Sequence, residues 1–405
     1  MNIVFLLTQD IESPSGFGRY FPLAKNLVKR GHKVSILTLH PLFNSLKQKK
    51  FEQDGVDIWY VAQMHVSKYG NYKTDFPTSK FILSTINATI SLFVASKSLT
   101  ADIIHIGKPH PMNGIAGLFA HFFNDSLLFL DCDDYEVGSG RFNAEWQKYI
   151  VAFFEQSLPK YVHLITTNTD FMKHKLETWG ISSEQIIYLP NGVDLDRFRL
   201  SNHEEVDNLR TKLGLIGHRV IVYIGSLSYP SHPVNLLLKA FKKVHMTIPD
   251  TKLVIVGGGD QYENLKKQTH FLGLDNSVIF CGRISPIKIP IYYQLADVSV
   301  DPNNNDDAAR GRSPLKIFES WASKVPIVTS DVGNRRKLLD SPPAGVIAIP
   351  GDTTSLSNCI LSVLQQPDVA EELRRYGLDR AEQFSWNRIS NILEVAYIKS
   401  LANKH

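Results

Sequence analysis

The sequence predicts an α/β protein of two parallel-sheet domains facing across a cleft, and three observations lead there. Short runs rich in Val and Ile alternate with longer segments of helical periodicity, the pattern of parallel strands covered by helices on both faces. These runs fall into two series with a polar segment between them. The chain, at 405 residues, also exceeds what one hydrophobic core usually supports, so two domains of roughly 200 residues each are expected.

The first series of strands is expected at residues 3–7, 34–39, 58–61, 103–106, 127–130, 163–166 and 186–189. The second is expected at 220–224, 253–256, 278–280, 298–300, 327–329 and 345–349. Between them Pro190-Asn191-Gly192 and the polar His203, Glu204, Glu205 and Asp207 read as a linker. The expected domains are thus 1–190 and 218–384, joined by 191–217. Residues 385–405 read as a terminal helix, in which Trp386, Ile389, Ile392, Leu393 and Ala396 recur at helical spacing and need a surface to pack on. The longest apolar stretch, 81–95, is broken by Ser84, Thr85, Asn87, Thr89 and Ser91, falls short of a membrane span, and reads as a packed helix.

Composition narrows the classes. Apolar residues make up 43% and charged residues 21%, which excludes a disordered or fibrous chain. Cys132, Cys281 and Cys359 lack metal-ligand spacing and fit a reducing compartment, so no zinc site is expected. Met1 runs directly into a strand without a basic leader or a cleavage site, which predicts a cytoplasmic protein. A net charge of +4 and the lack of any recognition motif argue against nucleic acid as partner. Arg19 to Lys50 holds eight basic and no acidic residues. It reads as a solvated helix face or, through Lys25, Lys29, Arg30, Lys47, Lys49 and Lys50, as a peripheral contact with anionic lipid at the inner face of a membrane.

Open parallel sheets of this Rossmann-like kind bind ligands at the carboxyl ends of their strands, which holds equally for a binding protein or a dehydrogenase. Gly16 and Gly18 form a loop that opens a helix, suited either to phosphate contact or to a plain turn. In Ser313-Pro314-Leu315-Lys316-Ile317-Phe318-Glu319, Ser313 reads as an N-cap and Pro314 as the first helical residue. Lys316 in the first turn opposes the helix dipole, which asks for an anionic partner; Arg310 and Arg312 lie just upstream. The plainer account is a surface ion pair of Lys316 with Glu319. Asp131-Cys132-Asp133-Asp134-Tyr135-Glu136 ends a strand with four acids. Three roles compete for them: Mg²⁺ ligation, contact with hydroxyls of a bound ligand, and helix capping. Ligand contact is the reading taken, with no metal. His105 reads as a core histidine, and the 108–111 loop as a possible acceptor entrance.

The 313–319 segment, followed by Pro326-Ile327-Val328 and Thr329-Ser330-Asp331-Val332-Gly333, resembles the donor-binding segment of family 4 retaining glycosyltransferases, which have the GT-B fold. The Gly16–Gly18 loop, Pro190-Asn191-Gly192-Val193-Asp194, Phe280-Cys281-Gly282-Arg283 and Phe384-Ser385-Trp386 resemble other segments of that family in the same order. The resemblance implies a metal-independent enzyme without a cofactor, with the 385–405 helix packing back on the first domain. It would move a sugar from a nucleotide-diphosphate sugar to a glycan or lipid-linked acceptor in polysaccharide assembly. Glu319 would bind the ribose and Asp133 would face the transferred sugar. Three departures stand out. Gly311 replaces the first acidic residue of the family's Glu-x7-Glu pattern, for which Asp306 or Asp307 is the substitute; Ser226 and His232 replace the Arg and Lys that hold the diphosphate. Lys316, Arg312, Arg310 and Arg283 are expected to supply the missing charge. Two other functions fit the same scaffold: a non-catalytic nucleotide-sugar-binding protein and a nucleotide-sugar epimerase.

Overall fold

The computed structural model describes residues 1–404 apart from 140, 141, 143, 200–202, 230 and 231, and only the backbone of 68, 69, 72, 73 and 139. Two sheets form. The first has eight strands in the order Ile186–Tyr188, Leu164–Thr167, Leu127–Cys132, Ile103–Gly107, Asn2–Leu6, Lys33–His40, Val56–Gln63 and Lys50–Gln53. All neighbours in it are parallel except the last pair. The second is wholly parallel: Val278–Gly282, Thr251–Val256, Arg219–Ile224, Val298–Asp301, Ile327–Ser330 and Val346–Ala348. Each strand expected from an apolar run is present, because strands covered on both faces have no polar alternation to obscure them. The antiparallel edge strand Lys50–Gln53 and a separate hairpin, Val66–Tyr69 with Tyr72–Asp75, were not legible as runs.

Each sheet is sandwiched by two apolar cores. One face of the first sheet buries Leu6, Ile104 and Leu130 against Leu92, Ala116 and Met172 of three helices. The other buries Phe5, Ile36 and Phe129 against Leu23 and Leu27, together with Trp386, Leu393 and Tyr397 of the terminal helix Trp386–Ala402. Arg30 fixes that helix by donating to Asn391 and Asn387 and pairing with Glu394 at 3.0 Å. The stretch between the sheets is not an open linker. It contains the helices Leu195–Arg199 and His203–Lys212, whose Phe198 and Val206 enter the second domain's core; 200–202 lie outside the described residues.

Two expectations change. The 81–95 stretch is helical within Thr78–Lys97 but packs on one narrow face alone: Ala88, Leu92 and Ser96 are the residues buried along it, and its length and composition suffice to cross a membrane. The basic stretch is not one solvated face either. Arg19 is buried, Lys25 reaches toward Asp54 and Asp194, and Lys49 and Lys50 lie over the rings of Phe43 and Trp59.

Candidate functional site

At the carboxyl end of the second sheet, Val298–Asp301 delivers Asp301 into a fully buried position. Its Oδ1 lies 3.0 Å from Lys316 Nζ and its Oδ2 lies 3.2 Å from Arg335 Nε. Asn303 and the Thr329 hydroxyl also donate to it. Burial would raise the Asp301 pKa, but Lys316, Arg335 and Arg312 together hold it well below the usual carboxylate range. Burial pushes Lys316 downward against the pull of Asp301, and the ammonium lies 4.4 Å from the centre of the Tyr223 ring. Arg312 donates to Asn303 Oδ1 at 2.8 Å and approaches His232 Nε2 at 3.1 Å. Ser226 adjoins the group, its carbonyl accepting from the Tyr223 hydroxyl at 2.8 Å.

Two cations therefore share one carboxylate while Arg312 adds its field, leaving net positive charge beside the start of the helix Leu315–Ala322. No side chain caps that helix, so its first amides and the dipole are directed at whatever anion arrives. Ser313 is not the N-cap: the extended ψ of 125° at Pro314 makes Pro314 the cap residue and starts the helix at Leu315. The buried Ser313 offers its carbonyl to Asn191 Nδ2 at 2.7 Å instead. Lys316 and Glu319 do not pair. Glu319 accepts from the Tyr293 hydroxyl at 3.1 Å, and burial raises its pKa against the opposing influence of Arg197, Tyr293 and Lys316.

The first domain presses on this helix. A Cβ at Gly18 would lie 2.4 Å from Leu315 Cδ1, so the two domains approach closely there; one at Gly16 would lie 2.4 Å from the Asp10 carbonyl, a need of the turn itself. Next to them Arg19, completely buried, holds Asp131 through two bonds of 2.7 and 2.8 Å and donates to Asn191 Oδ1 at 2.8 Å. A continuous chain of bonds thus runs from Asp131 through Arg19 and Asn191 to Ser313. Sequence reasoning counted Arg19 only as part of a basic run and missed Asp301 and Arg335, whose partners are remote in the chain.

At the carboxyl end of the first sheet the charges reverse. Lys108 Nζ lies 3.4 Å from Asp133 and 2.8 Å from Glu136, and it also pairs with Asp134; His110 lies 3.0 Å from Glu136. Asp133 is buried and its pKa is pushed up to about 7, by burial first and then by Asp134 and Asp131, against Lys108. Its Oδ1 has no hydrogen-bond partner among the described residues. Oxygens of Asp133, Asp134 and Glu136 lie within 4.8 Å of one another, as metal ligands would, but the Lys108 ammonium already stands among them as counter-ion. The amides of Glu136 and Val137 are capped by Glu155, not by Asp133 or Asp134. His105 is a core residue, bonded to the Tyr397 hydroxyl at 2.6 Å, and burial lowers its pKa to about 4.

The remaining expected residues are placed elsewhere. A Cβ at Gly311 would lie 2.6 Å from Tyr135 Cβ, so the first domain occupies the space an acidic side chain would need. Asp306 caps Ala309 at 2.8 Å and acts on Arg335 through its charge, while Asp307 pairs with the exposed Arg310 at 3.4 Å. Arg283 is exposed too, and its backbone N–H donates to Asn71 Oδ1 of the first-domain hairpin at 2.8 Å.

Known proteins match both halves. The family described as glycosyl transferases group 1 matches residues 206–380, and glycosyltransferase family 4 matches residues 20–197. A GDP-mannose-dependent α-(1-6)-phosphatidylinositol monomannoside mannosyltransferase of Mycolicibacterium smegmatis is 28% identical over 203 residues, 49% of this chain and 53% of that protein. The chain thus spans about half the length of the curated relatives it matches first. Sucrose-phosphate synthase from Thermosynechococcus elongatus superposes with a TM-score of 0.79 at 18% identity over 100% of both chains. Anabaena HepE in complex with UDP and glucose does so with a TM-score of 0.73 at 17% identity, over 98% of this chain and 100% of that one.

Proposed function

The chain belongs to the family 4 glycosyltransferases and has their GT-B fold, and from that premise we propose that it transfers a sugar from a nucleotide-diphosphate sugar to a glycan or lipid-linked acceptor. The reaction retains the configuration at the transferred carbon, needs no metal and takes place in the cytoplasm.

One observation carries the reading: an uncapped helix start with net positive charge, at Leu315 and Lys316, lies against Gly18 of the opposite domain. A departing nucleoside diphosphate gathers negative charge there, and fixed donors that stabilise it lower the barrier. Lys316 and Arg312 act on the diphosphate, and Glu319 accepts from the ribose hydroxyls. The Lys108 ammonium stands among the three carboxylates where an added cation would bind, which supports metal independence. Asp133 Oδ1, which faces Lys108 at 3.4 Å without a hydrogen bond, is suited to accept from a hydroxyl of the sugar or acceptor. The acceptor attacks from the leaving-group side and its proton passes to the departing phosphate. The Mycolicibacterium relative's GDP-mannose and HepE's UDP both favour a nucleoside-diphosphate donor.

Calorimetry with uridine, guanosine, thymidine and adenosine diphosphates in excess EDTA tests this. At least one should bind, and Glu319→Ala should weaken it by about 1–3 kcal/mol. Failure of all four, or binding only when Mg²⁺ is restored, overturns the reading. Hydrolysis or transfer of the matching nucleotide sugar by the wild type separates an enzyme from a mere binder.

A further inference from the structure

The helices Thr78–Lys97, Pro111–Asn124 and Glu145–Ser157 lie side by side over one face of the first sheet. Inner residues of the first two, such as Leu92 and Ala116, enter its core, Glu145–Ser157 packs beside Pro111–Asn124, and the outer residues of all three are apolar as well. Leu83 is 68% exposed, Phe122 80% and Phe153 65%, with Ile86, Ile90 and Phe119 more than half exposed. The surface is continuous. Phe93 packs on Phe119 and Phe123 at 6.1 and 5.7 Å between ring centres, and Phe81 meets Trp146 at 5.9 Å. Isolated apolar residues are ordinary on a surface, but a contiguous patch drawn from three helices marks a contact site.

We propose that this face docks into the surface of an anionic lipid bilayer. Charge selects that occupant. Lys80, Lys97, Lys148 and Lys160 are exposed around the apolar residues, whereas the acids along the three helices and their ends are exposed Glu145, buried Glu155 and exposed Asp125, which Lys404 pairs at 2.9 Å. A second copy of the chain would set lysine against lysine, whereas lipid phosphates complement them. The rim also carries exposed Trp146, Tyr149 and Tyr161, the amphipathic rings that settle at the level of lipid headgroups. Lys97 shields Phe123 from 4.4 Å, its stem along the apolar surface and its ammonium free to rise to a phosphate.

Connectivity decides between lying on the bilayer and crossing it. Although Thr78–Lys97 is long and apolar enough to span, it enters from the Tyr72–Asp75 strand and leaves into Ile103–Gly107, a strand inside the first sheet. Both ends stay with the globular domain, so the helix lies flat in the interface together with its neighbours. Because Pro111–Asn124 begins directly after the loop that holds Lys108 and His110, the acidic cluster lies next to the docked face. A lipid-linked acceptor would then reach the cluster without leaving the bilayer surface.

Co-sedimentation of the full chain with vesicles provides the test, comparing phosphatidylcholine alone with phosphatidylcholine containing phosphatidylglycerol. The wild type should pellet with the anionic vesicles, and the triple variant Leu83→Glu, Ile90→Glu, Phe122→Glu should bind at least tenfold more weakly. All three positions are exposed, and an unchanged thermal midpoint would confirm that the variant folds. A control variant, Lys29→Glu with Lys47→Glu, should bind as the wild type does; loss of binding there with retention in the triple variant overturns the proposal. It is equally overturned if the wild type ignores both vesicle types, or if light scattering finds a dimer that the triple variant converts to monomer, which would make a second copy the occupant.

Discussion

In the first domain the sheet's carboxyl end gathers carboxylates around one lysine, Lys108, whereas in the second it gathers cations around one carboxylate, Asp301. The architecture of the two ends is alike; the charges are inverted. A buried ion with several opposite partners is held by them, but it leaves some partner charge uncompensated. In the first domain that remainder is acceptor oxygen, which suits hydroxyls, and in the second it is positive charge, which suits phosphate. The contact of Gly18 with Leu315 and of Gly311 with Tyr135 brings the two ends together.

The severest way to break this contrast is to remove its cationic side. Lys316→Ala should cost transfer on the order of 100-fold in kcat/KM, as for loss of one preorganised donor to developing charge. Arg310→Ala, at an exposed pair with Asp307, should change it by no more than about twofold. Steady-state kinetics on the two variants checks the distinction, and equal losses would mean that the buried cluster has no special part in the reaction.

A smaller effect tests the closeness of the two ends. Gly311→Glu must displace Tyr135 or part the domains, so it should destabilise the protein by about 1–3 kcal/mol, the usual range for overpacking. Tyr135→Gly in the same chain, which removes the Cβ that the new side chain meets, should return part of that loss. Denaturant unfolding measures both, and an unaffected single variant would show that the space is open.

Strands were legible in the sequence because burial on both faces leaves uninterrupted runs such as Val220 to Ile224. The His203–Lys212 helix was not, because it buries only Val206 and otherwise looks like a polar connection. The 81–95 stretch misled in the opposite sense: composition shows that a helix is apolar, not that anything covers it. Lys316 and Glu319 were found through a local motif, and their place at the start of one helix follows from that. Their partners Asp301 and Tyr293 come from other elements, and a single sequence holds no trace of such pairing. The substitution at Gly311 was visible, but its reason, Tyr135 from the other domain, is purely tertiary.

The acidic side of the contrast predicts a pH effect. With a pKa of about 7 in the folded protein against 3.8 ordinarily, Asp133 takes up a proton on folding. Its contribution to stability is complete below about pH 4 and disappears as the pH rises through about 7. If the ionised form accepts from the sugar or acceptor hydroxyl, activity should climb as the pH passes about 7, where the last of this stability is lost. Asp133→Asn should flatten the climb, lower the plateau about tenfold, and lose less stability than the wild type between about pH 4 and 7. Glu155, pushed up to about 8 by burial and by Glu136, titrates nearby and bonds only backbone amides. A rise in rate that persists in Asp133→Asn but vanishes in Glu155→Gln would move the titrating group from the substrate side of the cluster to its structural base.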